Sequence, residues 1–346
     1  MAYTGNTYSD LTPRQSGFSV AEFLKRAIPM MTIEKFGTQK PLPKNETKTI
    51  KMRRYFLVGG TGGYSGAAGS YNLPLATTAL TEGETPAGIK MDYKDYSVDI
   101  AQYGNWTGFT DFFMDTHEDV PPVIREFSDI LGEQAALTKE TLTYNVLKAG
   151  TNVFYANGTA RTDVNTPVTK ALVRRVTRAL KVQNARKISS VLASEVKYNT
   201  QPIEAGFITL VHPNCENDVR EIDGFIPVKN YAQGKAMEGE IGSVEDMRFV
   251  SSTVFTAFAD AGGAAGTMLS TTGTLADVYP MITLAKEAFS IIPLRGANVA
   301  QMYVVYPKAT ETDPLAQRGT IGYKFYHASI ITNEFNLVRM EVAATA

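Results

Sequence analysis

Residues 121–150 read PPVIREFSDILGEQAALTKETLTYNVLKAG. Ile124, Phe127, Leu131, Ala135, Thr138, Leu142 and Val146 recur in steps of three and four, which places them in one stripe along a helix. Glu126, Asp129, Glu133, Lys139 and Glu140 fill much of the remaining surface. Pro121 and Pro122 suit a first helical turn, where backbone N–H groups lack partners anyway. Asp119 is placed to cap that turn, and Lys148 complements the dipole at the other end. Gly150 is placed to close the helix in a left-handed conformation. At 1.5 Å per residue the span 121–149 is about 45 Å long, against an average helix of about 11 to 12 residues. So narrow a stripe on so long a helix predicts a strut lying against one flat sheet or one neighbour.

The chain has 346 residues, enough for one large or two medium domains. Apolar residues make up 44% and charged residues 20%, as in an ordinary folded protein. A net charge of −1 gives no global pull toward nucleic acid or anionic membranes. The single cysteine, Cys215, excludes an internal disulfide and any cysteine-based metal site. The start, MAYTGNTYSD, lacks the basic and apolar regions of a signal peptide. No apolar run nears the roughly 20 residues that cross a bilayer. The expectation is a soluble chain, intracellular when made, with no membrane partner.

Working outward from the strut, residues 1–17 are polar and aperiodic and predict an extended arm. Ser19 and Glu22 form a capping box for a short helix, with Phe18 and Phe23 as its staple. Residues 30–45 read as an extended strap with no core of its own. Residues 47–56 alternate, with Ile50, Met52 and Phe56 on one face and Thr49, Lys51, Arg53 and Tyr55 on the other. Residues 89–100 form a second strand whose apolar phase slips near Lys94 and Asp95, predicting a β-bulge. The two make a long ribbon with a glycine-rich tip region at 59–70. A lone ribbon is barely stable in water, so this one is expected to lie on a neighbouring subunit. Trp106, Phe109, Phe112 and Phe113 are expected to pack its root. Beyond the strut, Thr166 and Pro167 are expected to start a second helix over residues 168–185. Lys170, Arg174, Arg178 and Lys181 line one of its faces, readable as a nucleic-acid or acidic-partner contact or as a solvated face. Strands are expected at 207–211, 244–253, 281–293 and 299–306 in an α/β unit, and a strand pair over 320–342 is expected to return beside the strut.

Signs of catalysis are lacking. His117, His212 and His327 are far apart in sequence and none has metal-ligand spacing. The acidic stretch 115–119 is better explained by capping the long helix than by binding a cation. The run 59–70 does not match a phosphate-binding loop. Cys215 near His212 permits a thiol nucleophile, but no third orienting residue is identifiable, so a buried structural cysteine is expected. No cofactor is expected.

The order of parts (arm, ribbon, long helix, α/β unit, returning strands) resembles the major capsid protein of tailed bacteriophages, with its Hong Kong ninety-seven-type shell fold. Five phrases are similar to the branch typified by coliphage N-four: FGTQKPLPKN (36–45), PLATTALTEG (74–83), LTYNVLKAGT (142–151), GEIG (239–242) and DPLAQRGTIGYK (313–324).

The resemblance implies an α+β fold. Residues 1–46 would be the N-terminal arm and 55–103 the extended loop over an adjacent subunit. Residues 47–54, 104–165 and 306–346 would form the peripheral domain, with its spine helix at 121–149. Residues 166–305 would form the axial domain. It further implies a non-enzymatic protein of the virion, assembled in the host cytoplasm. Pentamers and hexamers would build an icosahedral head around double-stranded DNA. Implied partners are further copies of the chain, a separate scaffolding protein, a portal and a decoration protein. Lys51, Arg53 and Arg54 are the candidates to meet Glu82, Glu84 or Asp92 across subunits. Lys90 and Lys94 lie in the loop, but no cross-linking partner is identified. Two alternatives stand beside this reading: a nanocompartment shell of the same fold, and an α/β enzyme using Cys215 and His212.

Overall fold

The computed structural model describes residues 31–55, 79–85, 93–116, 120–192, 200–231, 236–294, 301–311 and 313–346. The expected arm and short helix, the tip at 59–70, Asp92, Lys90, His117 and the Asp119 cap lie outside the described residues. In chain order, a 3-10 turn at Ile33–Phe36 leads to β1 (Thr38–Gln39), β2 (Thr49–Tyr55), β3 (Tyr93–Asp99) and β4 (Ala101–Thr110). Then come the short helix α1 (Asp111–Thr116), the long helix α2 (Val120–Lys148), β5 (Val153–Tyr155), α3 (Lys170–Val182), β6 (Ile188–Leu192) and β7 (Thr200–Val211). The short helix α4 (Glu216–Arg220) is followed by β8 (Ile226–Pro227), β9 (Glu240–Val244), β10 (Met247–Ser251), β11 (Val278–Leu284) and β12 (Phe289–Ile291). The chain ends with β13 (Gln301–Val305), β14 (Arg318–His327), β15 (Ser329–Ile331) and β16 (Leu337–Ala343).

An eight-stranded sheet, β5-β16-β11-β7-β10-β9-β8 with β6 beside β7, is the centre of the α/β unit. Every residue of β11 and of β16 is buried, because both faces of the sheet are covered. On one side α3 presses Leu172, Val173, Val176 and Leu180 against Phe207, Phe249, Met281 and Met340. On the other, Tyr144 and Leu147 of α2 join Ile33, Ile208, Leu210, Ile282 and Leu284. Thr169, not Thr166, caps α3, its hydroxyl accepting the Leu172 N–H at 3.3 Å. Pro167 and Val168 precede the helix, and the Thr166 hydroxyl instead donates to Asn157.

A smaller antiparallel sheet, β13-β14-β4, lies on the N-terminal half of α2. Residues of β14 alternate between buried and half-buried, as a one-sided sheet requires. Phe109, Ile321, Tyr323 and Phe325 meet Leu131 and Ala135 of the helix. The strut thus lies against two sheets rather than one. Its buried face rotates accordingly: toward the C-terminus, Lys139, Glu140, Thr143, Tyr144 and Leu147 are buried, while Thr138, Leu142 and Val146 are only partly so. Gly150 does not take a left-handed conformation. It is needed for space, since a Cβ there would sit 2.6 Å from Leu337 Cδ2. The returning strands divide: β14 and β15 contact α2, whereas β16 becomes an interior strand of the large sheet.

The strap has a core after all. β1 pairs in parallel with β12, and Ile33 and Leu42 are both buried. Leu42, Ile292 and Ala328 receive Met52, Ile50 and Val98 from the ribbon, pinning its root. β2 and β3 pair without interruption from Thr49↔Asp99 to Tyr55↔Tyr93, so the expected bulge at Lys94–Asp95 does not form. The apolar residue that is out of phase, Tyr93, lies exposed beneath the Arg53 guanidinium, 4.0 Å from its ring centre.

Candidate assembly surfaces

The ribbon charges are paired mainly across its own strands. Arg53 donates to both oxygens of Asp95, at 2.7 and 2.8 Å, and holds that carboxyl below the usual range. Lys48 reaches Asp99 at 3.1 Å. Lys51 is exposed on the Arg53 face, and Arg54 stands opposite Lys94 on the face that carries Met52. Glu82 and Glu84 are exposed in a separate turn, residues 79–85, where Gly83 adopts φ +85° and Leu80 is 77% exposed. That turn and the ribbon therefore offer opposite charges on exposed surfaces.

The basic face of α3 is largely neutralised at home. Lys170 meets Asp223 at 2.6 Å and Arg174 meets Glu245 at 2.9 Å. Asp246 takes both Lys181 and Lys187, whose hydrogen bonds hold its carboxyl below the usual range. A self-paired, solvated helix face is the better description of it than a nucleic-acid contact.

Cys215 is completely buried within the core beneath α3, and burial pushes its thiol up. His212 Nδ1 accepts the Asn214 N–H at 3.1 Å and so caps the turn Pro213–Cys215. The pair is a structural junction between β7 and α4. Replacing Cys215 by serine puts a hydroxyl in an apolar site and should cost about 1 to 3 kcal/mol. Thermal unfolding of the variant measures that cost.

Exposed apolar groups gather on the spine layer. Trp106 is 68% exposed on the outer face of the small sheet, across from Gly322, rather than packing the ribbon root. Strand alternation explains it: Phe109, three residues on, faces α2 and is buried. Phe112 and Leu315 are exposed near the same end of the sheet, where the Asp111 N–H donates to Gln317 O. On α2, Ile130 and Leu137 line a shallow groove with Glu133, Gln134 and Thr141. Among the described residues no three His, Cys, Asp or Glu side chains cluster to hold a metal, and no helix is long and apolar enough to cross a membrane.

Comparison with known proteins accounts for this architecture. The capsid of Ralstonia phage GP4 superposes with a TM-score of 0.62 at 10% identity, covering 100% of this chain and 95% of that one. The capsid of Cyanophage P-SCSP1u gives 0.57 at 14% identity, covering 91% and 89%. The holo-SrpI encapsulin complex from Synechococcus elongatus PCC 7942 gives 0.51 at 10% identity, covering 100% and 93%. These likenesses establish the shared shell fold. No curated protein matches in sequence. Residues 94–336, from the β3 edge of the ribbon to the turn before β16, match the phage capsid protein family. The chain belongs to that family and is a major capsid shell protein, a component of the phage virion.

Proposed function

We propose that this protein closes an icosahedral head from pentamers and hexamers and encloses double-stranded DNA. A separate scaffolding protein and a portal take part in assembly in the host cytoplasm, and a decoration protein is a further candidate partner. The coliphage N-four-like branch is the reading favoured by the phrases at 36–45, 74–83, 142–151, 239–242 and 313–324. In this reading residues 55–103 are the extended loop over a neighbour, α2 is the spine of a peripheral domain made of residues 47–54, 104–165 and 306–346, and residues 166–305 are the axial domain, so that β5 and β16 of the large sheet come from peripheral segments. The protein has no catalytic role.

One observation carries the proposal: a ribbon buried at its root by Met52 but exposed beyond it at Tyr55 and Tyr93, in a chain of a shell-forming family. The test is light scattering and electron microscopy on the protein expressed alone and then with its genomic neighbours. Closed shells or capsomer rings are expected, and a clean monomer under both conditions overturns the proposal. The nanocompartment alternative is favoured only by the encapsulin likeness. Purified shells that carry a cargo enzyme in place of DNA would select it.

Lys51, Arg53 and Arg54 on one copy and Glu82, Glu84 and Asp92 on another remain the proposed contact set. Arg54→Glu should lower shell yield severalfold, and Glu82→Lys in the same chain should restore part of it. Shell yield in sucrose gradients reads both, and an unchanged yield for Arg54→Glu removes that residue from the set.

A further inference from the structure

One apolar stripe of the spine helix is left uncovered. Ile130, Leu137 and Thr141 follow each other on α2 at steps of seven and four, which puts them on one line of the helix. Ile130 and Leu137 are 53% and 41% exposed. They line the shallow groove with Glu133, Gln134 and Leu142, and among the described residues every lining side chain comes from α2. The neighbouring faces of the helix are occupied. On one side the small sheet packs on Leu131 and Ala135, and Gln134 Oε1 accepts from Asn105 Nδ2 and from the Tyr323 hydroxyl, each at 3.1 Å. On the other, Glu140 is fully buried and accepts the Ile33 N–H at 3.0 Å with each of its oxygens. The groove is thus a slot between the small sheet and the strap.

The strap decides what can reach that slot. With Ile33 fixed on Glu140, the chain before it is tethered beside α2, about one turn from Leu137. Residues 18–28 lie outside the described residues, and their sequence reads FSVAEFLKRAI. Val20, Phe23, Leu24, Ala27 and Ile28 recur at the spacing of a one-sided helix. Ten residues, 19–28, make a helix about 15 Å long, and the groove from Ile130 to Leu142 runs about 18 Å. Residues 29–32 span up to about 13 Å when extended, enough to bring such a helix from Ile33 to the groove. The charges match as well. Lys25 and Arg26 are the cations of the segment, Glu133 lines the groove, and Glu126, seven residues earlier on the same side of α2, is exposed. A ten-residue helix is marginal in water by itself, so its apolar face needs a surface.

We infer that residues 18–28 dock as an amphipathic helix in the α2 groove of their own chain, with Phe23 and Leu24 over Ile130 and Leu137 and the basic pair toward Glu133. The short tether favours the chain's own segment over that of a second copy. A linker of four residues holds the segment at an effective concentration of about millimolar order, which a dilute second copy does not match.

Limited trypsin digestion of the full-length, unassembled subunit, read by mass spectrometry, tests the docking. Arg14 lies in the polar stretch before the segment and serves as the internal reference. Cleavage after Lys25 and Arg26 should be about tenfold slower than after Arg14, or slower still. Leu137→Asp places a charge in the groove and should bring cleavage at Lys25 and Arg26 up to the Arg14 rate. Ile130→Asp, on the same stripe, gives the same reading should Leu137→Asp fail to fold. Equal rates in the wild type, or slow cleavage that persists in the groove variants, overturns the inference. A bismaleimide cross-link between Leu24→Cys and Leu137→Cys then reads which chain fills the groove, since the native Cys215 is completely buried. The double variant should give a bridged single chain, and a mixture of the two single variants should give no cross-linked dimer. A dimer from the mixture would assign the groove to a second copy and overturn the inference, as would the absence of any bridge. None of these readings depends on shell formation.

Discussion

Arg248→Ala should destabilise the unassembled subunit by about 3 to 5 kcal/mol, among the largest effects of any single change outside the apolar core. Arg248 of β10 and Glu240 of β9 form a buried pair, their side chains 4% and 0% exposed. Arg248 Nε and Nη2 donate to the two Glu240 oxygens at 2.7 and 2.6 Å, and Nη1 donates to Glu204 O at 2.9 Å. Glu240 also accepts from the Tyr231 hydroxyl at 2.9 Å and the Met237 N–H at 2.8 Å. Removing the arginine leaves a buried carboxylate with no cation and two of its four hydrogen bonds gone. Total stability of a folded domain is about 5 to 15 kcal/mol, so the variant should be marginal. Replacing the pair together, Glu240→Leu with Arg248→Met, should cost far less, because neither charge is then left buried. Urea unfolding of the single and double variants measures the difference. A double variant as unstable as Arg248→Ala would show that shape, not charge pairing, is what the site requires.

The second large effect is Phe207→Ala, expected at about 3 to 5 kcal/mol. Phe207 is 1% exposed on β7 and packs in the cluster that contains Leu172, Val176, Phe249 and Met281. It lies between α3 and the middle of the large sheet, beside Met247 in the parallel β7–β10 register. Strands on both sides hold the backbone, since the Phe207 N–H donates to Asp246 O at 2.8 Å and β11 pairs further along β7. The site is therefore poorly able to collapse into the space the ring leaves. Phe112→Ala provides the contrast. Phe112 is 73% exposed, and its loss should change subunit stability by no more than about 0.5 kcal/mol. Any effect of Phe112→Ala on shell yield would then report on a contact between copies rather than on folding.

The strut was legible because a 29-residue helix displays its period many times over, and its ends at Val120 and Lys148 differ from the sequence reading by a single residue each. The ribbon pairing was legible because Ile50, Met52 and Val98 alternate and share a buried root. The slip near Lys94 misled, since Tyr93 is apolar by type yet exposed by position, with Arg53 stacked on it. Trp106 misled for the same reason. Strands of the large sheet were found but not their order: β11 and β16 are buried on both faces and carry no alternation to read. The basic stripe on α3 was visible, while the loop acids Asp223, Glu245 and Asp246 that neutralise it come from distant sequence.

The sequence by itself determined the parts of this shell protein: the long spine, the ribbon, the α/β unit and their order along the chain. Periodicity and chain order are local properties, and they survive without any knowledge of what packs where. Only the tertiary structure decided which charges are spent within the subunit and which remain at its surface. Glu140 sits in the middle of a helix that reads as amphipathic, and nothing nearby in sequence marks it as the receptor of the Ile33 N–H 107 residues earlier. Glu240 lies in the short phrase GEIG (239–242), yet its role is set by Arg248 across a hairpin and by Tyr231 before it. Burial makes these side chains decisive, because a carboxyl removed from water must find donors or keep a proton. Those partners are brought together only when the strap closes on α2 and when β9 pairs with β10.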